Sequence, residues 1–170
     1  MAVTAINMTF QEYYNYKHLG TYDGKGKWTY PAKVYEFNHN LIEKYPFLKP
    51  KYYQFDDEDV NNPYDYSWTL AEDIPKGWLL AFGEDLFKEL KEALGDEIKD
   101  YRVLQIKEKF GQLRWYDTGA SQAVDDVIDK FTNLSETTCI ACGRPAKYIS
   151  KGWISPFCEN CIGEQERNEI

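Results

Sequence analysis

Apolar positions along the second half of the chain change period twice, and the changes mark out its elements. Leu79, Leu86, Leu90 and Leu94, joined by Phe87 and Ile98, recur at helical spacing, which predicts an amphipathic helix. Glu84 and Asp85 fall near its expected start, where the helix dipole favours acids. Gly95 is its expected stop. Next, Leu104, Ile106 and Glu108 alternate with Val103, Gln105 and Lys107, as strand residues do. The break at Lys109-Phe110-Gly111 predicts a turn, and Leu113 to Tyr116 a returning strand. Helical spacing resumes at Val124, Val127, Ile128, Phe131 and Leu134, with Ser121 as the expected cap.

The first seventy residues are patterned less clearly. Thr9-Phe-Gln-Glu12 fits a capping box, so a short helix is expected to begin there. Tyr35 to Tyr45 predicts a second helix, ended by Pro46. Residues 46–69 carry Pro46, Pro50 and Pro63 and read as irregular. Eleven of the fourteen tyrosines lie between Tyr13 and Tyr66. The expected organisation is therefore a Tyr-rich, partly helical region over 1–70, a helix–hairpin–helix core over 71–134 and a cysteine module over 135–170, three segments able to pack as one α+β domain.

Composition narrows the function classes. At 170 residues, 43% hydrophobic and 28% charged, the chain can bury a core without disulfides. Its net charge of −8 disfavours general coating of nucleic acid, which depends on Lys and Arg. The acidity sits in the middle: residues 51–100 carry −9, while residues 1–50 carry +2 and 101–150 carry +1. No apolar run reaches the roughly 18 residues of a membrane span, and the N-terminus lacks the basic and apolar regions of a signal peptide. A cytoplasmic protein is expected.

All four cysteines lie near the C-terminus: Cys139, Cys142, Cys158 and Cys161, spaced C-x2-C-x15-C-x2-C. Two thiolates three positions apart grip one ion when the backbone between them forms a tight knuckle, and two such pairs complete a tetrahedron. Gly143 would allow that backbone. The spacing predicts one structural Zn²⁺ in a zinc ribbon or treble clef, with a hairpin around Tyr148 to Trp153. The alternatives are two disulfides, which need an oxidising compartment, or four free thiols. Four thiolates leave a zinc no open position for a reacting water.

Ile106 to Tyr116 reads IKEKFGQLRWY. Gly77-Trp78 precedes it; Cys139, Cys142 and Gly143, then Gly152-Trp153, then Cys158 and Cys161 follow it. In this order the motifs, spanning about residues 74–162, resemble a family of uncharacterised phage and prophage proteins. The resemblance implies a phage or prophage origin, a host-cytoplasmic setting and a bound metal. It implies no reaction. Trp115 stands where members of that family often carry Phe.

Candidate chemistry beyond the cysteines is sparse. His18 and His39 lie in no recognisable motif, and there is no P-loop, GxSxG or GxGxxG. A non-enzymatic accessory protein is expected, one that binds a host protein. Asp56, Asp57, Glu58 and Asp59, with Glu84 and Asp85, would imitate a phosphate backbone and block a defence nuclease such as a CRISPR effector. The alternative is a zinc-ribbon nucleic-acid binder that uses Lys107, Lys109 and Arg114 interleaved with Phe110 and Trp115. Against that stands a hairpin whose Phe110 and Trp115 both enter the core. A third reading is a carboxylate- and metal-dependent hydrolase or nuclease.

Overall fold

The computed structural model describes residues 8–53 and 61–170. The chain divides into two compact units, residues 1–70 and 71–170, and its class is α+β. Among the described residues, no helix is long and apolar enough to cross a membrane.

The first unit is two helices and a small hairpin. Helix α1 (Phe10–Lys17) is capped as the sequence predicts: the Glu12 amide donates to Thr9 Oγ1 at 3.2 Å, and the Thr9 hydroxyl donates to Glu12 Oε1. Strands β1 (Thr21–Tyr22) and β2 (Trp28–Thr29) follow. Helix α2 (Ala32–Lys44) starts three residues before the predicted Tyr35, because Pro31 supplies a fixed φ just ahead of the first turn. It stops before Pro46, as expected. The helices meet through rings: Phe37 packs edge-on against Phe10 at 5.4 Å and stacks on Tyr13 at 4.8 Å. Tyr13, Tyr45 and Tyr64 are buried. Part of the tyrosine enrichment is therefore core rather than surface. Asn38 fixes it, donating to Tyr13 Oη at 3.1 Å and to the Tyr66 carbonyl at 2.8 Å.

The second unit opens with a continuous helical rod. Helix α3 (Lys76–Trp78) runs into a wide i→i+5 turn (Leu79–Gly83), which runs into α4 (Glu84–Leu94). A side chain at Gly83 would collide with Leu79, so the wide turn is closed by that leucine on a bare backbone. Gly83 is itself helical. Glu84 and Asp85 therefore do not stand at a free helix start, and the dipole rationale for them fails. Leu79, Leu86, Phe87, Leu90 and Leu94 are buried, and Gly95 ends the helix.

Strands β3 (Val103–Lys109) and β4 (Gln112–Asp117) form an antiparallel hairpin, with Lys109 paired to Gln112 across a two-residue turn. The register slips between Val103 and Gln105. This bulge turns both Val103 and Ile106 inward and leaves Leu104 exposed, so the predicted alternation breaks at its first step. Helix α5 (Gln122–Ser135) packs against α4 and the hairpin, with Phe131 5.5 Å from Phe82. Ser121 precedes it, but caps through its backbone carbonyl rather than its hydroxyl. The chain ends in a small antiparallel sheet of β5 (Tyr148–Ser150), β6 (Pro156–Phe157) and β7 (Arg167–Glu169), in the order β6-β5-β7.

Buried Tyr101 joins the hairpin to its surroundings. Its hydroxyl donates to Asp117 Oδ2 at 2.7 Å and accepts from Trp115 Nε1 at 2.8 Å. Burial and the Asp117 carboxylate push the phenol far above its ordinary pKa, so it stays a neutral donor. Tyr101→Phe strands both partners and should cost about 1–3 kcal/mol in urea denaturation.

Candidate metal centre

The exit of α5 builds the first cysteine pair. An isolated bridge pairs Thr138 with Pro145, and within it the Cys139 amide donates to the Arg144 carbonyl at 2.7 Å. The Gly143 amide then returns to the Cys139 carbonyl at 2.9 Å, closing a knuckle. Gly143 sits at φ +82°, a conformation that side chains resist. The second pair follows β6 directly, where the Cys161 amide donates to the Cys158 carbonyl at 3.2 Å. The Ile140 amide donates to the Pro156 carbonyl at 2.9 Å, holding the two pairs face to face.

The four sulfurs lie within 4.8 Å of one another, with Cys142 and Cys158 Sγ 3.5 Å apart. A tetrahedral zinc with Zn–S near 2.3 Å spaces its sulfurs by about 3.8 Å, so the cluster fits such an ion with small adjustment. Cys139 and Cys158 are buried; Cys142 and Cys161 are half-buried. Burial pushes the Cys139 thiol up, but amide donors from Cys158, Cys142 and Ala141 outweigh it and hold its pKa down at about 7. Burial and the neighbouring sulfurs push Cys161 up to about 12. The amides thus favour a first thiolate, while crowded sulfurs resist accumulating negative charge. A bound cation would supply the missing compensation.

Gly77-Trp78 is the floor of this site. The Gly77 amide donates to the Ile140 carbonyl at 2.9 Å, and Trp78, fully buried, donates its indole N–H to the Thr138 carbonyl at 2.8 Å. A Cβ on Gly77 would lie 2.3 Å from the Cys139 carbonyl oxygen, and one on Gly143 would lie 2.6 Å from the Gly77 oxygen. The second Gly-Trp pair lies elsewhere. Trp153 is 70% exposed and donates to Glu108 Oε2 at 3.0 Å, while Glu108 Oε1 accepts from the Gly111 amide at 2.7 Å.

The remaining predicted residues separate. Asp56, Asp57, Glu58 and Asp59 lie outside the described residues. Glu84 and Asp85 are exposed neighbours on the helical rod. Lys107 pairs with Arg114 and Lys109 with Gln112, so these three cations share one face of the hairpin. Phe110, expected in the core, is instead 62% exposed at the tip. Trp115 is on the opposite, buried face, where its indole is used by Tyr101. It leaves the candidate nucleic-acid set because a strand places adjacent residues on opposite sides. Tyr116 takes its place: it pairs with Gln105 on the cationic face, and Lys107 Nζ lies 5.4 Å from its ring centroid. The two-residue turn fixes that register, so Tyr116 was recoverable from the sequence by pairing outward from Phe110-Gly111.

Two substitutions test the centre. Cys142→Ser should remove one equivalent of metal per chain, read by elemental analysis, and melt the C-terminal sheet. Gly77→Ala keeps all four ligands, yet should destabilise the unit by about 1–3 kcal/mol through the backbone clash, read by urea denaturation.

Compared with family models, curated proteins and solved structures, the chain matches none.

Proposed function

We propose that this is a non-enzymatic binding protein, folded by one structural zinc in a ribbon-like module, that takes single-stranded nucleic acid on the solvent face of the β3–β4 hairpin. Four thiolates satisfy zinc completely and favour that ion over harder ones. The short strands β5 to β7, with a single 3₁₀ turn at Glu164–Glu166 after the last cysteine, favour a ribbon over a treble clef.

The observation that carries the binding reading is the composition of one face. Gln105, Lys107 and Lys109 of β3 stand beside Tyr116, Arg114 and Gln112 of β4. Three cations and a half-exposed tyrosine occupy it, and at its edge Gln112 donates to the Glu136 carboxylate. Glu108, the strand's own acid, is turned away and engaged by Gly111 and Trp153. Such a face offers phosphates their counter-charge and bases a ring to stack on.

Phe110 adds to this. It sits at φ +53° in a turn that favours Asn, Asp or Gly. A bulky residue there is costly, and its ring, mostly in water, recovers little by burial. The cost makes sense if the ring is kept for a ligand. Inhibition of a nuclease by acidic mimicry is the second reading, supported among the described residues by Glu84 and Asp85, exposed side by side on the helical rod.

Binding of a fluorescent single-stranded oligonucleotide tests the reading. Three phosphate contacts predict a slope of about −2 in log K against log salt. Lys107→Glu with Lys109→Glu should abolish binding at moderate salt. Phe110→Asn should separate the two roles of the tip: the hairpin becomes about 1 kcal/mol more stable, while affinity falls roughly tenfold. Unchanged affinity in both proteins would refute this interface.

A further inference from the structure

The N-terminal unit carries a second set of rings and cations, on residues that the hairpin reading does not use. Tyr22 and Trp28 are cross-strand partners in β1–β2, with centroids 5.3 Å apart, yet they remain 52% and 50% exposed. The series continues inward. Trp28 lies nearly parallel to Tyr30, at 10° and 6.3 Å, and Tyr30 lies 6.3 Å from Tyr35.

The inner end is anchored. The Tyr30 amide donates to Tyr35 Oη at 3.2 Å, and Lys17 Nζ stands 4.4 Å from the Tyr30 ring centroid. The Tyr30 ring also lies against Gly20, where a Cβ would come within 2.5 Å of it. The rings therefore form a ladder, fixed at the helix end and open to water at Trp28 and Tyr22.

Charge along the ladder opposes that of the whole chain. From Lys17 to Lys33 there are four lysines and one acid, in a chain of net charge −8. The acid, Asp23, is occupied: its Oδ1 accepts from the Lys25 amide at 2.6 Å and the Lys27 amide at 3.0 Å, which shapes the loop between the strands. Lys25 and Lys27 are exposed in the loop that leads into Trp28, whereas Lys33 donates to Tyr16 Oη at 3.1 Å and stands near Glu12 and Glu36.

We propose that the β1–β2 ladder is a second nucleic-acid contact, a stacking platform on which bases of a single strand lie against Trp28 and Tyr22 while Lys25 and Lys27 meet its phosphates. The ligand is set by the combination of groups. A neutral sugar offers flat faces but no charge for the lysines. An acidic peptide offers charge but no regular series of faces. A single-stranded polynucleotide offers both at each step, and stacking on exposed rings needs bases free of a duplex. Hairpin stability alone would be served by the Tyr22–Trp28 pair, without the flanking lysines.

The test uses the full chain and a labelled oligothymidylate of roughly a dozen nucleotides at low salt. Tyr22→Ala with Trp28→Ala should weaken binding roughly tenfold or more. Lys25→Glu with Lys27→Glu, in a loop that carries no core packing, should weaken it comparably and flatten the salt dependence. The loop variant keeps the test valid if the ring variant fails to fold. Loss in these proteins, with Lys107→Glu/Lys109→Glu binding normally, supports the ladder and overturns the β3–β4 interface. Normal binding in the loop variant overturns the ladder, whatever the hairpin does. Equal displacement by a sulfated polysaccharide of matched charge also overturns it, because charge without bases would then suffice.

Discussion

The second unit depends on the contact between Gly77-Trp78 and the backbone of the first cysteine knuckle. A four-thiolate site crowds four sulfurs within a few ångströms, so the surrounding backbone must shape each knuckle while a bound ion offsets the charge. Here the knuckle is not self-supporting. Gly77 donates to the Ile140 carbonyl and Trp78 to the Thr138 carbonyl. The two glycines, Gly77 and Gly143, meet where neither could carry a Cβ. Through this contact the helical rod and the cysteine module share one core, and the binding energy of an ion held there, on the order of 10 kcal/mol for such sites, would become folding energy for both.

The hairpin is tied to that core by different chemistry on each face. Inside, Ile106, Leu113 and Trp115 are buried, and Tyr101 consumes the polar atoms of Trp115 and Asp117. At the tip, Glu108 bridges the Gly111 amide and the Trp153 indole, joining the turn to the second Gly-Trp pair. On the outer face Gln112 donates to Glu136, just past the end of α5. Lys109 and the strained Phe110 stand exposed at the tip.

The charge distribution gives the protein an uneven electrostatic surface. Most of the acidity belongs to residues 51–100, while cations gather beside exposed rings in β3–β4 and in β1–β2. On an acidic chain, such patches attract polyanions only at short range, since the wider field repels them and salt screens the remainder. Loose coating of a duplex is therefore disfavoured.

Local signals in the chain suffice for most of the elements and for the grouping of the four cysteines. Helical spacing from Leu79 to Leu94 and from Val124 to Leu134, the Thr9 cap and the turn at Phe110-Gly111 are local signals, and locality makes them legible. The cysteine spacing pointed to one four-sulfur cluster, and the structure brings those sulfurs within 4.8 Å, close enough to hold a metal ion. Tertiary structure decided the rest. No local signal shows that a wide helical turn carries the rod past Glu84, nor that a bulge at Leu104 reverses the strand's faces. It took packing to divide the tyrosines into buried Tyr13, Tyr45 and Tyr64 and exposed Tyr22. The two Gly-Trp pairs are alike in sequence, yet one is a buried floor and the other an exposed strut. Which is which depends on the partner backbone each meets, and such long-range contacts leave no periodicity in the chain.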